Sequence, residues 1–220
     1  MHVVYLDPYF LGDPLFAPGL ARDLATRSDG VLLVHGSGER GERALESLGR
    51  MPTSKEGIWV TDDLEGRDAV ERATRELNRE LHHELNEAGV ATIRVTGGDR
   101  GLLKQRGDDL EVGKTGWVST ALGQGVTVVL ASLVEVAGDV LEVDAATAAG
   151  ALGEALGLEV VALSKRALET GDLEAEGRAF PDLDAVRRLR RPNRKVVGGP
   201  RSLLRSSPSG SFAELCSFEG

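Results

Sequence analysis

The sequence predicts an α/β fold, a three-layer α/β/α sandwich built on a mainly parallel sheet. Three observations predict it. The continuous branched apolar runs Val31-Leu32-Leu33-Val34 and Val160-Val161-Ala162-Leu163 have the composition of strands buried on both faces. Between them lies an amphipathic helix in which Val70, Ala73, Leu77, Leu81, Leu85 and Ala88 recur at spacings of three and four. Glycine turns such as His35-Gly36-Ser37-Gly38 then join strand to helix, as a βα unit requires.

The elements follow in order. Val3-Val4-Tyr5-Leu6 reads as a first strand, and residues 20–26 as a short helix with Leu20, Leu24 and Ala25 on one face. After the strand at 31–34 comes a helix carrying Ala44, Leu45 and Leu48. The long helix covers residues 64–88; Gly89 stops it, and 92–96 returns as a strand. Leu102-Leu103, Trp117-Val118 and 126–130 read as short strands, with 133–136 and 140–143 paired as a hairpin about Gly138-Asp139. Alanine-rich 145–156 reads as a helix before the strand at 160–163. The runs at 31–34, 92–95, 126–130 and 160–163 are expected side by side in one sheet.

From Glu169 the chain turns polar and then basic. Arg187, Arg188, Arg190, Arg191, Arg194, Lys195, Arg201 and Arg205 fall within nineteen residues. Gly198-Gly199-Pro200 and the serine-rich 206–211 read as breaks in regular structure. Residues 182–191 suit a solvated surface helix; the sharper reading is an anion site for nucleotide phosphates or an acidic partner. The chain is expected to fold as one compact unit.

Composition narrows the function. At 220 residues and 41% hydrophobic, the chain can bury a substantial core, which excludes general disorder. A net charge of −9 repels nucleic acid and anionic membrane unless basic residues cluster, and no aromatics interleave the arginines. The lone Cys216 forms no internal disulfide. The N-terminus lacks the pattern of a signal peptide, and the charge-free stretch 115–134 reads as buried strands and turns rather than a membrane span, so a cytoplasmic protein is expected. Lysine occurs only at 55, 104, 114, 165 and 195. Each is therefore easy to weigh as a phosphate ligand.

His35-Gly36-Ser37-Gly38 could let backbone N–H groups approach an anion at a helix start, although glycine also serves as plain punctuation there. His35, beside an apolar strand, suits a packed and hydrogen-bonded histidine better than a catalyst. More telling is the order of motifs: this turn, then Lys55-Glu56-Gly57-Ile58-Trp59-Val60-Thr61-Asp62, then Asn78 in the long helix. Gly97-Gly98-Asp99-Arg100-Gly101-Leu102-Leu103 and Gly113-Lys114-Thr115-Gly116-Trp117-Val118 follow. Glu142-Val143-Asp144-Ala145-Ala146 and Leu163-Ser164 close the series.

Over residues 30–165 this order and spacing resemble the amino acid kinase family, and within it the acetylglutamate kinases. The resemblance implies ATP with Mg²⁺, a small carboxylic acid as phosphoryl acceptor, as in arginine biosynthesis, and a homo-oligomer. It implies Gly36, Ser37, Gly38, Trp59 and Asp144 around the acid, Ser164, Lys165 and Lys195 around the nucleotide, and no metal-binding side chains. Lys165 and Lys195 are the implied catalytic cations. By the same resemblance residues 1–130 are the acid-binding part and residues 131–220 a reduced nucleotide-binding part with a basic tail. In that chemistry the protein positions two anions and neutralises their repulsion.

Against the family pattern the charges have moved. Where the first strand should read K-[apolar]-G-G, this chain has Tyr5-Leu6-Asp7-Pro8. The arginine of G-L-R-V-T is Trp59, which cannot clamp a carboxylate bidentately and makes the site more apolar. N-V-N-A-D reads Glu142-Val143-Asp144-Ala145-Ala146, and the organising aspartate after the last strand is Lys165. Pro192-Asn193-Arg194-Lys195-Val196-Val197 weakly resembles the segment that carries the second lysine. The expectation is a kinase of weak or lost activity, a pseudoenzyme. The alternatives are a non-catalytic ligand-binding, regulatory or assembly protein on the same fold, and a kinase for a different small acid or phosphate.

Overall fold

The computed structural model describes residues 1–55, 57–107, 109–168, 178–191, 195–205 and 213–215. Glu56, Pro192, Asn193, Arg194, Cys216, the start of the polar segment at Glu169 and the serine-rich 206–211 lie outside the described residues.

In chain order the first half holds β1 (Val3–Tyr5), α1 (Pro8–Leu11), α2 (Phe16–Leu24), β2 (Leu32–His35) and α3 (Glu39–Ser47). A hairpin of β3 (Ser54–Lys55) and β4 (Ile58–Trp59) leads into α4 (Leu64–Glu87) and β5 (Thr92–Thr96). Next come β6 (Leu103–Arg106), β7 (Asp109–Val112), α5 (Gly116–Gly123) and β8 (Thr127–Ala131). The second half adds β9 (Leu133–Val136), β10 (Asp139–Glu142), α6 (Ala145–Leu156), β11 (Val160–Leu163), α7 (Leu183–Arg188), β12 (Val196–Gly199) and β13 (Ala213–Glu214).

One sheet runs β13-β12-β11-β1-β2-β8-β5. Six of its strands are parallel, and only β13 joins antiparallel to β12. The four expected runs are neighbours or near neighbours here, with Val3 level with Val160 on one side and Leu32 on the other. Successive strand residues serve opposite faces, as the pleat dictates. Val3, Tyr5, Leu32, Val34, Val128 and Leu130 pack against α5 and α6. Val4, Leu6, Leu33, Val129 and Val161 pack against α2 and α4. Two apolar layers thus separate three layers of structure.

Local chemistry sets the helix ends. Asp63 caps α4 by accepting from the Gly66 N–H at 2.8 Å, and Val70, Leu77, Leu81 and Leu85 are buried as the periodicity predicts. Burial of each such leucine contributes roughly 1.5–3 kcal/mol. Asp144 caps α6, which stops at Gly157 in the left-handed region, φ 71°. The hairpin expected about Gly138-Asp139 is β9–β10.

Three expectations are corrected. Trp117-Val118 lies in α5, so residues 115–134 contain a helix as well as a strand; Val118 and Leu122, four apart, are both fully buried. Gly198-Gly199 does not break structure but completes β12, because a Cβ at Gly198 would stand 2.6–2.9 Å from Leu168, Phe180 and Leu215. The helix drawn over 182–191 is shorter, Leu183–Arg188, with Asp182 as its cap.

Candidate functional site

The chain crosses from strand to helix or loop at the C-terminal ends of the parallel strands, which is where open α/β sheets bind ligands. Asp7 follows β1, the 35–38 turn follows β2, Ser132 follows β8, and Ser164-Lys165 follow β11. The β9–β10 hairpin returns Glu142 and Asp144 to the same end.

The turn after β2 is fixed from beneath. His35 is fully buried, with Nδ1 2.9 Å from the Gly36 carbonyl and Nε2 3.1 Å from Asn78 Nδ2. Asn78 also donates to the carbonyls of Val129 (3.1 Å) and Val95 (3.3 Å), so it ties α4 to β2, β5 and β8. Burial lowers the His35 pKa to about 4. The imidazole is therefore neutral, with Nδ1–H donating to Gly36 and Nε2 accepting from Asn78. Both side chains serve the scaffold.

Above them the turn holds a carboxyl group of its own chain. The Ser37 backbone N–H donates to Glu142 Oε1, and the Ser37 hydroxyl donates to Oε2 at 2.9 Å. Gly36 is glycine for this reason: a Cβ there would stand 2.6 Å from Glu142 Oε1 and 3.6 Å from Ser132 Oγ. Burial pushes the Glu142 pKa up to about 7; the two bonds from Ser37 oppose the rise and the Asp144 charge adds to it. Among the described residues no cationic side chain pairs with Glu142. The Ser132 hydroxyl, fully buried, has no hydrogen-bond partner.

Trp59 on β4 completes this side. Its indole N–H donates to the Gly38 carbonyl at 3.0 Å, and a Cβ on Gly41 would stand 2.6 Å from its ring. A cleft of about 290 Å³ opens here, lined by Ile58, Trp59, Arg67, Gln105, Leu141 and Glu142 among others. Arg67 is engaged with Asp139 at 2.7 Å.

A second group lies at the ends of β1 and β11. Arg188 bonds Asp144 at 3.0 Å and stands 3.7 Å from Asp182. Burial pushes the Asp7 pKa up to about 6; its bond from the Tyr9 N–H lowers it, Asp182 raises it, and Lys165 and Arg188 lower it. Tyr5 is held well above the usual phenol value, by burial first and then by Asp7, Asp144 and Asp182. The Lys165 Nζ stands 5.4 Å from the centroid of the Tyr9 ring.

The structure therefore brings Gly36, Ser37, Gly38, Trp59, Asp144, Ser164 and Lys165 to one end of the sheet. Lys195 precedes β12, and its carbonyl accepts from the Val160 N–H at the start of β11. It sits at the opposite end, roughly 13 Å away along four strand residues. The sequence shows Glu142 only as a carboxylate in the place of an asparagine, and Arg188 only as one member of a basic run that suits a solvated helix or an anion site.

The basic tail is largely neutralised within the molecule. Arg201 and Arg205 hold buried Asp23 at 2.8 and 2.5 Å, Arg187 pairs with Asp184, and Arg191 bonds the Thr147 and Arg190 carbonyls.

No family model matches the chain. The acetylglutamate kinase of Prochlorococcus marinus (strain NATL2A) is 30% identical over 167 residues, 70% of this chain and 55% of that protein. That of Aeromonas hydrophila is 29% identical over 168 residues, 72% and 64% of the two chains. The chain thus spans a little over half to about two thirds of the length of these curated relatives. Among solved structures, N-acetylglutamate synthase from Neisseria gonorrhoeae superposes with a TM-score of 0.69 at 18% identity, over 91% of this chain and 54% of that one. An isopentenyl phosphate kinase superposes with 0.68 at 11% identity, over 97% and 98%.

Proposed function

The chain belongs to the amino acid kinase family, and from that premise we propose that it binds a small molecule in the Trp59–Glu142 cleft while transferring phosphoryl groups to acetylglutamate weakly or not at all. One observation carries this reading: the Glu142 carboxylate takes the N–H and O–H of Ser37, in the turn that family resemblance places around the acid that accepts the phosphoryl group. Glu142 thereby occupies the donors of that cradle, and in its ionised form it also repels a second anion, by up to about 4 kcal/mol at 4 Å in a partly screened setting. The loss of one transition-state charge contact typically costs about two to three orders of magnitude in rate. Here Trp59 replaces an arginine and Lys165 an aspartate. Several such changes act together.

For nucleotide the fit is partial. Lys165 is exposed at the end of β11 and can meet a phosphate, whereas Arg188 is held by Asp144 and Asp182 and the Ser164 hydroxyl is engaged with the Arg166 carbonyl at 2.5 Å. Among the described residues no three His, Cys, Asp or Glu side chains converge on a metal position. We therefore assign Lys165 as a phosphate contact and derive no step through Mg²⁺. No helix among the described residues is long and apolar enough to cross a membrane. Residence in the cytoplasm and self-association belong to the same proposal, checked by cell fractionation and sedimentation velocity.

The test is ADP release from ATP and Mg²⁺ with acetylglutamate. A turnover at least a thousandfold below the ordinary enzyme value of about 10 s⁻¹ is expected. A turnover on the order of 10 s⁻¹ overturns the reading. A second reading, a kinase for a different small acid or phosphate, is favoured by the exposed Lys165 at the end of β11. ADP release with another acceptor, abolished in Lys165→Met, would select it.

A further inference from the structure

We infer that the cleft beside Glu142 takes a small primary amine, with Glu142 as the specificity-determining residue that binds its ammonium and excludes carboxylates. The inference rests on the binding role proposed for this cleft and adds the ligand's chemical class. Glu142 uses one lone pair on each oxygen for Ser37, and a carboxylate offers about four acceptor sites. The remaining ones have no cationic partner among the described residues. A carboxylate half out of water, unpaired, is electrostatically incomplete, and burial accordingly raises its pKa to about 7.

An ammonium has three donors and no acceptor. It can serve the remaining acceptor sites of Glu142, which lines the cleft, and a carboxylate ligand cannot. The indole of Trp59, with Ile58, Val140 and Leu141, offers the cleft an apolar wall for the rest of the molecule.

The other charges near Glu142 do not change the sign. Arg67 is matched by Asp139, and Arg188 by Asp144 and Asp182. Asp144 is the charge felt most directly by Glu142.

Benzylamine, benzyl alcohol and benzoate, matched in size, serve as probes. Each is titrated into the protein while the two indole N–H resonances are followed, Trp59 being assigned with Trp59→Phe. At about pH 8.5, where Glu142 is ionised and benzylamine still charged, benzylamine is expected to shift the Trp59 resonance saturably. It should bind about tenfold more tightly than either other probe, equivalent to 1.4 kcal/mol. Glu142→Gln should erase that preference. Wild type at about pH 5.5 should lose it too, which makes the same test should the variant fail to melt cooperatively. Benzoate binding as tightly as benzylamine, a preference that survives Glu142→Gln or the low pH, or no saturable shift with any probe would overturn the inference. None of these readouts involves turnover. Rapid ADP release with acetylglutamate would sink the weak-kinase reading and leave the amine preference to be decided on its own.

Discussion

At the scale of single residues, the site turns on where one carboxylate settles. Glu142 fills a cradle made by Ser37, and the cost appears as a proton affinity raised from 4.5 to about 7. The folded state therefore binds a proton there that the unfolded state releases above pH 4.5. Stability from this group is complete below 4.5 and is lost as pH rises through about 7. His2 and His35, lowered from 6.5 to about 4 by burial, act oppositely: they destabilise as pH falls from 6.5 toward 4. In the wild type the two trends offset each other. Glu142→Gln removes one of them. The stability of the variant relative to wild type should then climb by on the order of 2 kcal/mol between about pH 5 and pH 8, read from urea unfolding. A difference independent of pH would show that Glu142 is not titrating where its burial puts it. None of this was legible in the sequence, which shows a glutamate in place of an asparagine but not the serine it reaches 105 residues away.

At the scale of elements, legibility followed periodicity. The strands at 31–34 and 160–163 and the long α4 announced themselves because each buries a continuous run or a regular face. α5 did not, since its apolar residues sit among Ser, Thr and Gly and look equally like a strand. β12 was hidden because its two glycines signal a break, while the use of Gly198 is to let Leu168, Phe180 and Leu215 approach. The β3–β4 hairpin was visible only as a motif. Its role is to cover the second charge group: a Cβ at Gly57 would stand 2.8 Å from Asp144 Oδ1 and 3.1 Å from Arg188 Nη2, at φ 80°. Gly49 has a similar φ of 74° with nothing within 4 Å, and so provides the control. Both Gly57→Ala and Gly49→Ala should cost about 1 kcal/mol in backbone strain. Only Gly57→Ala should also disturb Asp144, which caps α6 through the Thr147 N–H at 2.7 Å. Faster hydrogen exchange at Thr147 in that variant alone is the expected result. Equal exchange in both would mean that the hairpin does not brace the site.

At the scale of the whole molecule, the basic tail proves to be a fastener. Asp23 on α2 is fully buried and takes Arg201 at 2.8 Å and Arg205 at 2.5 Å, joining residues some 180 positions apart. Arg201 also donates to the Phe16 carbonyl at 3.0 Å and lies over that ring, while Thr26 and Arg27 bond the carbonyls of Arg205 and Leu204. In a chain of net charge −9, a buried aspartate needs such partners close by. Either arginine alone can still compensate Asp23, so single losses should be modest: about 2 kcal/mol for Arg201→Met, which gives up the Phe16 contacts too, and about 1 for the more exposed Arg205→Met. Removing both strands an ionised carboxylate without a partner. The double variant should therefore lose more than the sum of the singles, on the order of 4–5 kcal/mol. Adding Asp23→Leu to the double variant should then restore stability, because the uncompensated charge goes and apolar volume replaces it. Urea unfolding of the four variants decides this. Strict additivity, or a triple variant weaker than the double, would show that the tail is held by its backbone contacts and not by the buried charge.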